Sequence, residues 1–83
     1  MIADRAGLVR VRAGFAGAVE LRVRVGEPVW PGRGLVAVEG DREIETFSAR
    51  NAGVVVEVCV ADGAEVVAGT VLLLVDEKAE LPS

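Results

Sequence analysis

Glu39-Gly40-Asp41-Arg42-Glu43-Ile44-Glu45 reads as a tight turn between two short strands, midway between two segments that resemble each other. Gly40-Asp41 supplies the turn chemistry, because glycine accepts a positive φ and aspartate hydrogen-bonds its own backbone. Before the turn, Leu35-Val36-Ala37-Val38-Glu39 is an apolar strand. After it, Glu43 to Ala49 forms the return strand, with Ile44 and Phe47 as its apolar residues. A charged tip on the seam of an internal duplication is a place to display one functional group, and the residue there is Arg42.

Working outward, each half holds the same parts. In the first, Leu8 to Arg12 alternates as a strand and ends in the small-residue stretch Ala13-Gly14-Phe15-Ala16-Gly17. Val19, Leu21, Val23 and Val25 then fall at period two between Glu20, Arg22 and Arg24, which predicts a half-buried strand with a charged outer face. Gly26 to Gly32 is a loop. In the second half, Val54, Val56, Val58 and Val60 alternate, and Asp62 to Gly69 is another glycine-bounded loop. Val71 to Val75 is a continuous apolar run, the pattern of a strand buried on both faces. Residues 1–7 form a lead-in, 8–75 the domain, and 76–83 a charged tail or the start of a linker.

The duplication is visible by counting. Gly26 and Gly32 match Gly63 and Gly69 at an offset of 37, as Leu35 matches Leu72 and Glu39 matches Asp76. Gly17 matches Gly53 at 36, so the second copy contains one inserted residue before Gly63. Two such halves about a pseudo-two-fold axis predict an all-β, flattened barrel with the central turn at one end.

Composition narrows the function. The 83 residues are 52% hydrophobic but only 4% aromatic, so the core is aliphatic and β-branched, which suits strands. A net charge of −4, with eight arginines spread along the chain, argues against nucleic acid and anionic membrane as partners. With no histidine and one cysteine, Cys59, neither a transition-metal site nor a His-based nucleophile pair can be assembled. The single cysteine and the lack of a long apolar run lead to the expectation of a cytoplasmic domain that is not an enzyme by itself.

Ala16-Gly17, Gly26-Glu27, Gly32, Val38-Glu39-Gly40-Asp41-Arg42, Ala49-Arg50-Asn51-Ala52-Gly53, Asp62-Gly63 and Gly69 together resemble the biotinyl/lipoyl attachment domain family. The resemblance runs from about Leu8 to Val75. It implies a barrel-sandwich fold, a flattened β-barrel of two four-stranded sheets, and a swinging-arm role in a multienzyme complex, with biotin or lipoate joined to a lysine at the turn tip. It also implies, as partners, enzymes of a 2-oxo-acid dehydrogenase or biotin carboxylase type complex, and a lipoyl or biotin ligase. Arg42 stands where the modified lysine is expected, flanked by Asp41 and Glu43. A guanidinium stays protonated and is not a usable nucleophile, so the chain as written carries neither cofactor. Two origins fit Arg42: natural divergence, or an engineered lysine-to-arginine change that keeps the carrier unmodified. Asp41 before the tip favours a lipoyl-like ancestry, whereas the compact Arg12–Gly17 start leans towards a biotinyl one. The alternative is a non-acylated structural or protein-interaction module that shares the fold. Glu39 beside the turn is a candidate partner contact, and so is Trp30, which can instead lie flat over the barrel end between Pro28 and Pro31. Cys59 reads as structurally inert.

Overall fold

The computed structural model describes residues 7–77. Its strands are β1 (Leu8–Arg12), β2 (Gly17–Leu21), β3 (Pro28–Val29), β4 (Gly34–Glu39), β5 (Ile44–Ser48), β6 (Gly53–Val58), β7 (Glu65–Val66) and β8 (Val71–Asp76), with no helix among the described residues. They form two antiparallel four-stranded sheets, in the orders β1-β8-β6-β3 and β5-β4-β2-β7. The expected two-sheet architecture is therefore present. No backbone ladder joins the sheets among the described residues, so they form an open sandwich rather than a closed barrel. Between the sheets lies an aliphatic core that includes Val19, Leu35, Val36, Val38, Val55, Leu72, Leu73 and Val75.

The duplication governs backbone hydrogen bonding as well as sequence. Gly26 N donates to Val55 O and Gly63 N to Val19 O, both at 2.7 Å. Gly32 N donates to Ala49 O and Gly69 N to Ala13 O. These four glycines hold φ between 86° and 90°, the left-handed region that side chains avoid. Each half thus reaches into the other through the same two turns, and neither half completes its hydrogen bonds alone. The inserted residue is Val56. β6 pairs with β8 through Val55↔Val75 and then Glu57↔Leu74, whereas β2 pairs with β4 without a break through Val19↔Val38 and Glu20↔Ala37. The insertion is absorbed as a β-bulge, which leaves the strand order untouched.

Four expectations need correction. The strand expected over Val19–Val25 stops at Leu21, because Leu21 N is taken by Asp62 Oδ1 at 2.9 Å and Arg24 N by Glu27 Oε1 at 3.0 Å. Side-chain acceptors there take two of the N–H groups, while Arg22 N between them still donates to Leu35 O of β4 at 3.0 Å. The two glycine loops each contain a two-residue strand, β3 and β7, anchored by the buried Val29 and Val66. The apolar run of β8 is not buried uniformly on both faces. A bulge at Leu72 breaks the register with β1 between Leu73↔Val11 and Val71↔Arg12, so adjacent Leu72 and Leu73 are both fully buried while Leu74 stays half-buried. Asp76 is the last residue of β8, paired with Leu8 and Val54 and only 2% exposed, rather than the first residue of a tail.

Candidate functional site

The central turn spans residues 40–43 between the paired ends Glu39 and Ile44, closed by Gly40 N donating to Glu43 O at 2.8 Å. Gly40 does not take a positive φ, contrary to the sequence expectation. It is glycine for lack of room: a Cβ there would lie 3.0 Å from Ala16 O and 3.1 Å from the Phe15 ring. Gly17 is tighter still, since its Cβ would stand 2.4 Å from Glu39 O. The small-residue stretch of the first half is therefore the seat on which the turn rests.

A side chain adds a second hold. Glu45 Oε1 accepts from Gly14 N at 2.9 Å and ties the return strand to the same stretch. That bond also orients the molecule. Gly14 follows the end of β1 and Glu45 lies near the start of β5, whereas Asn51, beyond the end of β5, donates to Glu77 beside the start of β1. The edge strands β1 and β5 thus run antiparallel across the seam. The turn sits at one pole and the meeting of Gly7 with Glu77 at the other.

Asp41, Arg42 and Glu43 are all exposed at the turn pole. Glu39, Asp41, Glu43 and Glu65 line an open depression of about 520 Å³ at the base of the turn, together with Phe15. The turn therefore presents one guanidinium above a carboxylate-lined surface. Arg42 makes no hydrogen bond or ion pair with another described residue. Glu65 and Phe15 escaped the sequence reading. Glu65 arrives through the non-local pairing of β7 with β2. Phe15 could have been found as one of only two phenylalanines, set among the small residues before Gly17.

Trp30 does not join this site. It stands 56% exposed in the loop between β3 and β4, with the Arg33 guanidinium 6.0 Å from its ring centroid, instead of lying flat over the end of the sandwich. Arg33 organises that loop. Nη1 donates to Gly34 O, and Nη2 donates to Arg22 O and to Glu27 Oε2 at 2.9 Å. The Arg33 hydrogen bond, then the Arg24 backbone N–H, hold the Glu27 carboxyl below its ordinary value of 4.5. A depressed folded pKa means that this carboxylate favours the fold at neutral pH and loses that contribution as pH falls below the ordinary value, through the folded one. In a carboxyl-carbon NMR titration, the Glu27 midpoint is expected below the ordinary range in the wild type and to rise towards it in Arg33→Ala. An unchanged midpoint would show that the pairing is absent in solution.

Cys59 is exposed, and its thiol is pushed up by partial burial and by the neighbouring Glu57 carboxylate, so it is a poor nucleophile. No cluster of metal-ligating side chains occurs among the described residues.

The fold and the turn define a class: small two-sheet domains with an internal two-fold that display one residue at a hairpin tip. Over residues 9–75 the chain matches the family model described as biotin-requiring enzyme, and it belongs to that biotin/lipoyl carrier family. No curated protein sequence is significantly similar to it. Among solved structures, a single-chain, multi-domain long-chain acyl-CoA carboxylase superposes with a TM-score of 0.79 at 26% identity over 96% of this chain. The chain spans 8% of the length of that carboxylase.

Proposed function

We propose that the chain is the carrier module of a carboxylase-type enzyme, and that it is not acylatable as written because Arg42 occupies the attachment position. The observation behind this reading is the 40–43 turn, seated on Phe15, Ala16 and Gly17 with its tip exposed. A group joined at that tip would be held by a firm base and free in front. Biotin and lipoate are joined to such domains through a lysine amine, and the residues at this turn do not fit them. Arg42 offers a protonated guanidinium, and the only lysine, Lys78, lies outside the described residues. No acyl step is therefore assigned to this chain. The likeness to a carboxylase supports a biotinyl lineage over the lipoyl-like ancestry that Asp41 suggested, and carboxylase-type partners over those of 2-oxo-acid dehydrogenases. Arg42 equally suits a second reading, a non-acylated interaction module.

Intact-mass measurement of the wild type and Arg42→Lys, after incubation with biotin ligase or lipoyl ligase, separates these readings. The wild type is expected to keep its encoded mass with both, and Arg42→Lys to gain one biotinyl group with biotin ligase. Lack of gain by Arg42→Lys with either ligase would overturn the carrier reading in favour of the interaction module. A gain by the wild type would overturn the block at Arg42.

A further inference from the structure

The two halves match strand for strand, yet the seam between the edge strands β1 and β5 is not symmetric. At the turn pole Glu45 bonds Gly14 N and Phe15 lies against Gly40, which closes the seam. At the other pole the equivalent positions, at an offset of 36, hold Val9 in place of Glu45, Arg50 in place of Gly14 and Asn51 in place of Phe15. There the seam remains open as a groove of about 390 Å³. Its floor is apolar, formed by Val11, Leu35, Phe47 and Val75. Its rim carries Arg10, Arg12 and Arg50, three of the eight arginines of a chain whose net charge is −4. The one carboxylate in the lining, Glu77, already accepts from Asn51 Nδ2 at 3.2 Å.

β1 and β5 are also the outer strands of their sheets, so each offers a row of backbone N–H and C=O groups along its open side. An apolar floor, a cationic rim and an open strand edge together specify a ligand that is extended, partly apolar and anionic. We propose that this groove binds an extended acidic–apolar peptide segment, which adds as a strand along β1. Its apolar side chains lie on the floor and its carboxylates meet Arg12 and Arg50. Arg12 already donates to Gly69 O through Nη1, which steadies the side chain and leaves its other donors for the peptide. This groove runs along the seam towards the pole opposite the turn, includes none of residues 40–43, and does not depend on what Arg42 does.

The test titrates a short synthetic peptide alternating glutamate with valine into the isotope-labelled chain, followed by backbone amide shifts. Residues 8–12 and 47–51 are expected to shift, and a lysine–valine peptide of the same pattern to leave them unmoved. Arg12→Glu combined with Arg50→Glu is expected to weaken binding roughly tenfold, from the reversal of two exposed ion pairs. Should that double variant lose its dispersed spectrum, the wild type at raised salt takes its place, where affinity falls if the rim charges act. Shifts confined to β3, β7 or the 40–43 turn would overturn the proposal. So would an equal response to the lysine peptide, affinity indifferent to salt, or no shift at millimolar peptide.

Discussion

Gly17→Ala is expected to lower the melting temperature by roughly 12–24 °C, the shift for a loss of about 3 kcal/mol in a domain this small. The added methyl would run into the Glu39–Gly40 peptide group: Glu39 O at 2.4 Å, Glu39 C at 2.7 Å and Gly40 N at 3.0 Å. No rotamer change relieves a backbone clash, so β2 and the end of β4 must part. The relevant control is Gly26→Ala. Nothing lies within 4 Å of that position, and only its φ of +89° opposes a side chain, a cost of about 1–2 kcal/mol. Thermal denaturation followed by circular dichroism compares the two. Equal losses would mean that close approach does not set the requirement at Gly17. Because the clash falls on Glu39 and Gly40, amide shifts in Gly17→Ala should concentrate in residues 39–43.

Leu72→Ala is expected to cost about 2–5 kcal/mol, against a total stability of about 4–12 kcal/mol for a chain of this size. Leu72 is fully buried on β8, a central strand of its sheet, and a cavity there opens against the core with few ways to collapse. Leu74, two residues along the same strand, is half-buried and outside the core cluster, so Leu74→Ala should cost clearly less. Urea denaturation measures both. Similar midpoints for the two variants would contradict the inward turn assigned to the Leu72 bulge.

Much of this fold is legible in the sequence, and for one reason: the duplication repeats backbone requirements. Gly26, Gly32, Gly63 and Gly69 must hold positive φ in both copies, so the constraint appears twice at one offset. The position of the extra residue was not readable, because a bulge at Val56 alters register without altering the alternation of valines around it. Gly40 misled in the opposite direction. A glycine required by the approach of Phe15 looks the same in sequence as one required by φ. Asp76 misled because charge at the end of an apolar run resembles a linker, whereas its burial comes from flanking by β1 and β6. At the site, the tip residues Asp41, Arg42 and Glu43 were legible because they are contiguous. Glu65 was not, since only the β2–β7 pairing brings it near. Trp30 resembled a packed cap in sequence, but its neighbour Arg33 is held by Glu27 and Arg22 in a way that leaves the indole outward.

Gly7 O accepts from Glu77 N at 2.8 Å, at the pole remote from the turn. To any longer polypeptide that ran into one of these residues and out of the other, the whole folded unit would count as a single closed loop. Its two attachment points are a hydrogen bond apart, so threading it into a host would demand almost no extra span and little closure entropy. The same geometry makes it a lever with one short hinge, in which a small rotation at the ends becomes a wide sweep of the turn.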